Sequence, residues 1–292
     1  MKYLEKHPLI MIVVGVLGIS MSSILVRFSP APSPVTAAWR LIWTVILMTP
    51  AVLGNASVRK ELHTMTRKTL LMCVASGLFL AVHFAVWFES LRYTSVASST
   101  TIVCTEVIWV TLGYWLLMKG KLSRRGALAI AVSLLGSVLI AWSDAGAGER
   151  HLYGDILALI AAIAVAAYTL IGRVVRKTVS TTAYTYPVYL ACAAVLWLTC
   201  LANRYDLFAY GIRSVVVGLM LAVFSTILGH SIFSWCLKYF SPSFVSASKL
   251  CEPVAAAAMA AILFGEGMTS MQLLGGALIL GGVLYYSRGG EA

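Results

Sequence analysis

Long uninterrupted apolar runs, separated by short polar stretches, organise this chain from one end to the other. They lie at about 8–28, 35–54, 69–91, 95–118, 124–141, 152–173, 184–201, 211–238, 243–264 and 269–287. A helix that crosses a bilayer needs about 20 largely apolar residues, and these runs reach or approach that length. Membrane strands would alternate apolar and polar residues with period two over about ten positions. These runs are continuous instead, so the pattern predicts ten helices. Breaks fall at local punctuation: Pro30-Ala31-Pro32-Ser33-Pro34, Ser241-Pro242-Ser243 and Gly265-Glu266-Gly267.

Composition narrows the class. The chain has 292 residues, 60% apolar and 11% charged, with a mean hydropathy of +0.89. Soluble domains carry roughly 45–50% apolar and about 25% charged residues, so a soluble enzyme is excluded. Disorder is excluded by the same excess of apolar surface. Ten spans use about 200 residues, which leaves short loops and no room for a folded soluble domain. The fold class is therefore an all-α membrane protein.

Charge sets the orientation. The net charge is +11, from 22 Lys+Arg against 11 Asp+Glu. Fifteen of the basic residues fall in one set of loops and ends, including Lys2, Lys6, Arg59, Lys60, Lys119, Lys121, Arg124, Arg125, Arg176 and Lys238. Five fall in the other set: Arg27, Arg92, Arg150, Arg204 and Arg213. Basic residues collect in cytoplasmic loops, so the split places both termini in the cytoplasm of a multi-pass plasma-membrane protein. It also removes the need for a nucleic-acid partner. The first run lacks a cleavage site and reads as a span, not a removable signal. The six cysteines form no CxxC pair and read as buried thiols. There is no HExxH, GxSxG or P-loop, so neither an enzyme, a metal, a cofactor nor direct ATP use is expected.

The chain repeats itself at half its length. A shift of 146 residues lays Arg27 on Arg173, Leu91 on Leu237, Tyr93 on Tyr239, Ser95 on Ser241, Glu106 on Glu252 and Gly136 on Gly282. The halves are 1–146 and 147–292, with five runs each. Five is odd, so the second half enters the membrane inverted. Inverted repeats with a shared midplane site are a recurring architecture of secondary transporters.

Certain residues carry a resemblance. Cys251-Glu252-Pro253-Val254, then Gly265-Glu266 and the glycine-rich Gly275-Gly276 … Gly281-Gly282, resemble the end of an EamA-type repeat. Trp87 and Leu91-Arg92-Tyr93-Thr94-Ser95-Val96-Ala97-Ser98-Ser99 resemble the same element in the first copy. The family is the drug/metabolite transporter superfamily, and the likeness covers nearly the whole chain. It implies ten helices, cytoplasmic termini and movement of small metabolites, often amino acids and usually outward. The first copy departs from the pattern: Val107 stands for Pro253 and Gly120 for Glu266. A helix break at the site is therefore expected only in the second half.

Charged residues at membrane depth are costly and usually face a cavity or a partner. Glu106 and Glu252, superposed by the repeat, are the leading candidates for a central site. A buried carboxylate can exchange protons near neutral pH, which makes protons a candidate coupling ion. Alternatively each pins helices by hydrogen bonds. Lys249, three residues before Glu252, could neutralise it, attract a cargo carboxylate or snorkel to the membrane edge. Arg40 suits bidentate carboxylate binding or a structural pair. His83 and His230 are near-equivalent under the shift. Trp39, Trp87, Trp109, Trp235, Tyr168 and Tyr186 could wall an aromatic pocket or pack the core. Pro187 and Pro253 are candidate helix breaks. Glu89 and Glu266 read as interfacial or turn residues. Together these suggest a small zwitterionic, amino-acid-like cargo; amphipathic cations, a channel or a sensory module are the alternatives.

Overall fold

The computed structural model describes residues 8–94, 96–143, 151–264 and 269–288. Every regular element among them is helical. In order they are α1 (Pro8–Arg27), α2 (Ser33–Gly54), α3 (Ala56–His63), α4 (Arg67–Ser90), α5 (Val96–Cys104), α6 (Glu106–Met118) and α7 (Arg124–Ser143). Then follow α8 (His151–Val175), α9 (Thr181–Ala202), α10 (Gly211–Met220), a π-helical segment (Leu221–His230), α11 (Ser231–Cys236), α12 (Pro242–Lys249), α13 (Glu252–Phe264) and α14 (Ser270–Ser287). Gly265, Glu266 and Gly267, expected to form a turn, lie outside the described residues.

Local chemistry sets the helix starts. Thr66, Ser180 and Ser241 each accept a hydrogen bond from a backbone N–H in the first turn of α4, α9 and α12. These bonds satisfy donors that a helix N-terminus leaves unpaired. Thr269 and Gln272 form a reciprocal capping box on α14. The stretch 55–68, expected to be a loop, contains α3, capped by Asn55. Its eight residues bury one apolar position, Val58, among charged neighbours. Such a short amphipathic turn leaves no long apolar run to detect.

Among the described residues, eight helical stretches are long and apolar enough to cross a membrane. α7 and the α12–α13 pair are not among them; the latter is divided into pieces of 8 and 13 residues. The outward faces are apolar: Leu71 is 68% exposed and Leu117 78%. Exposed apolar surface of this extent marks contact with lipid. The six cysteines are free; five are buried and Cys251 is half-buried.

Packing runs chiefly between the two halves of the chain. α4 lies along α8, α1 along the π segment, α2 along α9 and α7 along α14. The α7–α14 crossing shows why small residues are required there. A Cβ on Gly136 would sit 2.5 Å from the Gly275 carbonyl oxygen, and one on Gly275 would sit 2.6 Å from that of Gly136. Backbones this close pack by van der Waals contact that any side chain would block. At the same crossing the Ser133 hydroxyl donates to the Ile279 carbonyl at 3.3 Å, across 146 residues of sequence.

Candidate functional site

The site begins with two helix breaks. α5 ends at Cys104 and α6 begins at Glu106; α12 ends at Lys249 and α13 begins at Glu252. The expectation of a break only in the second half is therefore corrected. Pro253 contributes there by lacking an N–H. The first half breaks without proline: Thr105 N–H bonds to the Ile102 carbonyl at 3.0 Å, and its hydroxyl takes the same oxygen at 2.6 Å. That tightened turn interrupts the α-helical ladder. Pro187, the other candidate break, sits inside an unbroken α9.

Each break puts a glutamate at the first position of a new helix. A helix N-terminus carries partial positive charge and free N–H groups, so it favours an anion there. Both glutamates are buried, Glu106 at 3% and Glu252 at 8% exposure. Glu106 Oε1 accepts from Lys249 Nζ at 2.8 Å. Lys249 thus pairs across the halves and not with its sequence neighbour Glu252. The break at Leu250–Cys251 removes the continuous helix turn that would have aligned the two. Among the described residues, no hydrogen bond or ion pair reaches the Glu252 carboxylate.

Arg40 is fully buried on α2. Its Nε donates to Thr226 Oγ1 at 2.8 Å and its Nη1 to Ser22 Oγ at 3.0 Å. The guanidinium carbon stands 4.1 Å from the Phe84 ring centroid. Nη2 has no partner, and among the described residues no carboxylate pairs with this cation. Thr226 lies in the ten-residue π-helical segment that follows α10 and ends at His230. π-helical turns are uncommon and often mark functional sites.

Arg40, Glu106, His230, Lys249 and Glu252 line one small cavity of about 30 Å³, together with His83, Trp87, Ser22, Val103, Val165 and Ile19. A space of this size holds roughly two waters. His83 Nδ1 donates to the Ala161 carbonyl at 3.0 Å, which leaves Nε2 as its lone-pair nitrogen. The His83 ring stacks on Trp87 and stands 6.3 Å from His230. Trp87 Nε1 is a second buried donor with no partner.

Seven of the nine site residues expected from sequence therefore converge: Arg40, His83, Trp87, Glu106, His230, Lys249 and Glu252. Two do not. Trp39 turns away, with Nε1 donating to the Leu207 carbonyl at 3.0 Å and its ring against Phe208. Tyr186 shares a hydrogen bond with Thr49 at 3.1 Å and packs beside Val52 and Val58. Trp109 and Trp235 also lie outside the lining, while Tyr168 backs onto His230 and bonds Ser234. Glu89 pairs with exposed Arg92 at 3.3 Å. Ser22 and Thr226 were missed; small hydroxyls in apolar runs are too common to single out.

Comparison with known proteins now bears on this arrangement. The EamA-like transporter family matches residues 7–142 and again 152–288. The chain belongs to the EamA-like transporter family. It is a multi-pass membrane protein of a transporter family, and three curated relatives agree. An uncharacterized transporter of Clostridium kluyveri is 22% identical over 86% of this chain and 82% of its own length. One from Archaeoglobus fulgidus is 27% identical over 70% and 72%. The uncharacterized transporter YwfM of Bacillus subtilis is 25% identical over 81% and 79%. A solved crystal structure superposes with a TM-score of 0.79 over 97% of both chains at 16% identity, a likeness of fold.

Proposed function

We propose that this EamA-like protein is a secondary transporter that exports a small zwitterion, of amino-acid type, by alternating access across the cytoplasmic membrane. It has ten spans in two inverted five-helix repeats, 1–146 and 147–292, with both termini cytoplasmic. The helix boundaries support the repeat. α5 and α6, at Val96–Cys104 and Glu106–Met118, recur 146 residues later as α12 and α13, at Pro242–Lys249 and Glu252–Phe264. In this reading α7 and the broken α12–α13 pair complete the ten. The excess of basic residues on one set of loops supports the orientation.

One observation carries the cargo. Lys249 and Glu106 satisfy each other, so among the described residues the cavity keeps one cation outside any ion pair, Arg40, and one such anion, Glu252. Arg40 Nη2 and Trp87 Nε1 are donors suited to a carboxylate. Glu252 suits an ammonium group, or a proton when the site is empty. A cavity that holds about two waters is too small for any amino acid, so this conformation is a closed one. Loading requires one half to move against the other, as inverted-repeat carriers do.

Purified protein in liposomes tests the reading. Labelled amino acids, other metabolites and lipophilic cations are offered with and without a pH gradient. Arg40→Lys keeps the charge but loses the planar fork, so the apparent KM for the zwitterion should rise by about tenfold or more. Glu252→Gln should abolish gradient-driven accumulation while leaving exchange. An unchanged KM in Arg40→Lys, with lipophilic cations preferred, would replace the zwitterion by an amphipathic cation. Flux that never saturates would indicate a channel.

A further inference from the structure

Outside the central cavity a large unfilled space lies between α6 and α7, which follow each other in sequence yet stand apart. The groove measures about 700 Å³ and is walled by Val107, Leu112 and Trp115 on α6 and by Ile130, Ala131 and Leu134 on α7. At one end it opens beside the turn Gly120–Leu122, with Lys121 in its wall. From Val107 to Trp115 the wall runs eight residues, about 12 Å at 1.5 Å per residue. One leaflet of hydrocarbon is about 15 Å deep, half of a core of roughly 30 Å. The groove is thus nearly as deep as a leaflet, apolar along its walls and basic at its mouth.

The mouth carries more charge than Lys121 alone. Lys119, Lys121 and Arg124 are exposed within six positions of one another, and Arg125 beside them covers Tyr285. Among the described residues none of the four forms an ion pair. The shift of 146 residues shows that this charge belongs to one half only. Lys119, Lys121, Arg124 and Arg125 correspond to Gly265, Gly267, Ser270 and Met271. The duplicated scaffold needs no basic residue here. Basic pockets between membrane helices recognise anionic headgroups.

We infer that the α6–α7 groove is a binding site for one anionic phospholipid of the surrounding bilayer, its acyl chains between the helices and its phosphate on Lys119, Lys121 and Arg124. Ile108, exposed on α6, faces the groove and stands two residues from Glu106 in the cavity. The lipid would therefore lie against the helix that carries the paired glutamate. The inference requires only that the helices cross the membrane, not the cargo reading.

Native mass spectrometry of the purified full chain, released from nanodiscs of phosphatidylglycerol and phosphatidylcholine, tests it. The wild type should retain one phosphatidylglycerol in preference to phosphatidylcholine. Each surface cation is worth roughly fivefold in such binding, so Lys119→Gln with Lys121→Gln should lower retention about 25-fold. Lys238→Gln, an exposed cation elsewhere, should change nothing. Ala131→Trp faces lipid, leaves the core intact and fills the groove, so it should expel the lipid while the basic turn remains. Equal retention of the two lipids would overturn the site, as would retention unaffected by both groove variants. A second copy of the chain covering the groove, seen as a lipid-free dimer, would overturn it too.

Discussion

The two halves of this chain break corresponding helices at residues that the 146-residue shift superposes, yet they use the break differently. Glu106 begins α6 and is held by Lys249 at 2.8 Å; Glu252 begins α13 and has no such partner. The residue equivalent to Lys249 in the first half is Val103, which also lines the cavity. A single lysine therefore neutralises one of two duplicated acids. Duplication alone would have left two identical carboxylates to repel each other in a small space. One substitution separates them into a structural acid and an available one. The same position explains the charge balance: Arg40 and Lys249 against Glu106 and Glu252, with one member of each sign committed to the other.

The largest expected effect follows from that commitment. Removing one partner of a buried ion pair costs about 3–5 kcal/mol, because the other charge remains buried and unpaired. Lys249→Ala should lower stability in detergent by an amount of that order, read as a clear fall in the thermal midpoint. Glu252→Gln removes a buried carboxylate that has no partner, and should leave the midpoint unchanged or raise it. Glu106→Gln with Lys249→Gln removes both charges and should recover much of the loss. Equal destabilisation by Lys249→Ala and Glu252→Gln would end the distinction between the two acids.

The identity of the two acids was legible, because a register of 146 residues superposes them and leaves few other charges at membrane depth. Their roles were not. Lys249 stands three residues from Glu252, and on a continuous helix the two would be neighbours; only the break at Leu250–Cys251 redirects the lysine across the halves. The break at Thr105 was hidden because it uses a hydroxyl and a tight backbone turn in place of a proline. The π segment was hidden for a different reason. An apolar run inside lipid reads the same whether its hydrogen bonds close over four residues or five. So His230 could be named and Thr226 could not, and the placement of both beside Arg40 and His83 was out of reach.

A smaller effect should be equal in the two halves. α7 and α14 pack against each other, where a Cβ on Gly136 would approach the Gly275 carbonyl to 2.5 Å and one on Gly282 the Ala129 carbonyl to 2.8 Å. Overpacking of this kind typically costs 1–3 kcal/mol. Gly136→Ala and Gly282→Ala, which correspond under the repeat, should lower the midpoint by similar amounts. A loss confined to one of them would show that the crossing is not shared between equivalent positions.

The smallest effect concerns the break itself. Val107 is the counterpart of Pro253, and both are second residues of their half-helices. A proline within the first turn of a helix removes an N–H that has no intrahelical partner, and its fixed φ suits the position. In mid-helix the same change costs about 3 kcal/mol or more. The Ile108 N–H bonds back to Thr105 at 2.9 Å, while Val107 has no backbone bond across the break. Val107 is buried, but valine and proline differ little in bulk. Val107→Pro should therefore cost about 1 kcal/mol or less, and transport should continue. The measurement is the thermal midpoint together with initial flux in liposomes. A cost near the mid-helix value would mean that the first span is continuous through Thr105, and that the two acids do not stand at equivalent helix starts.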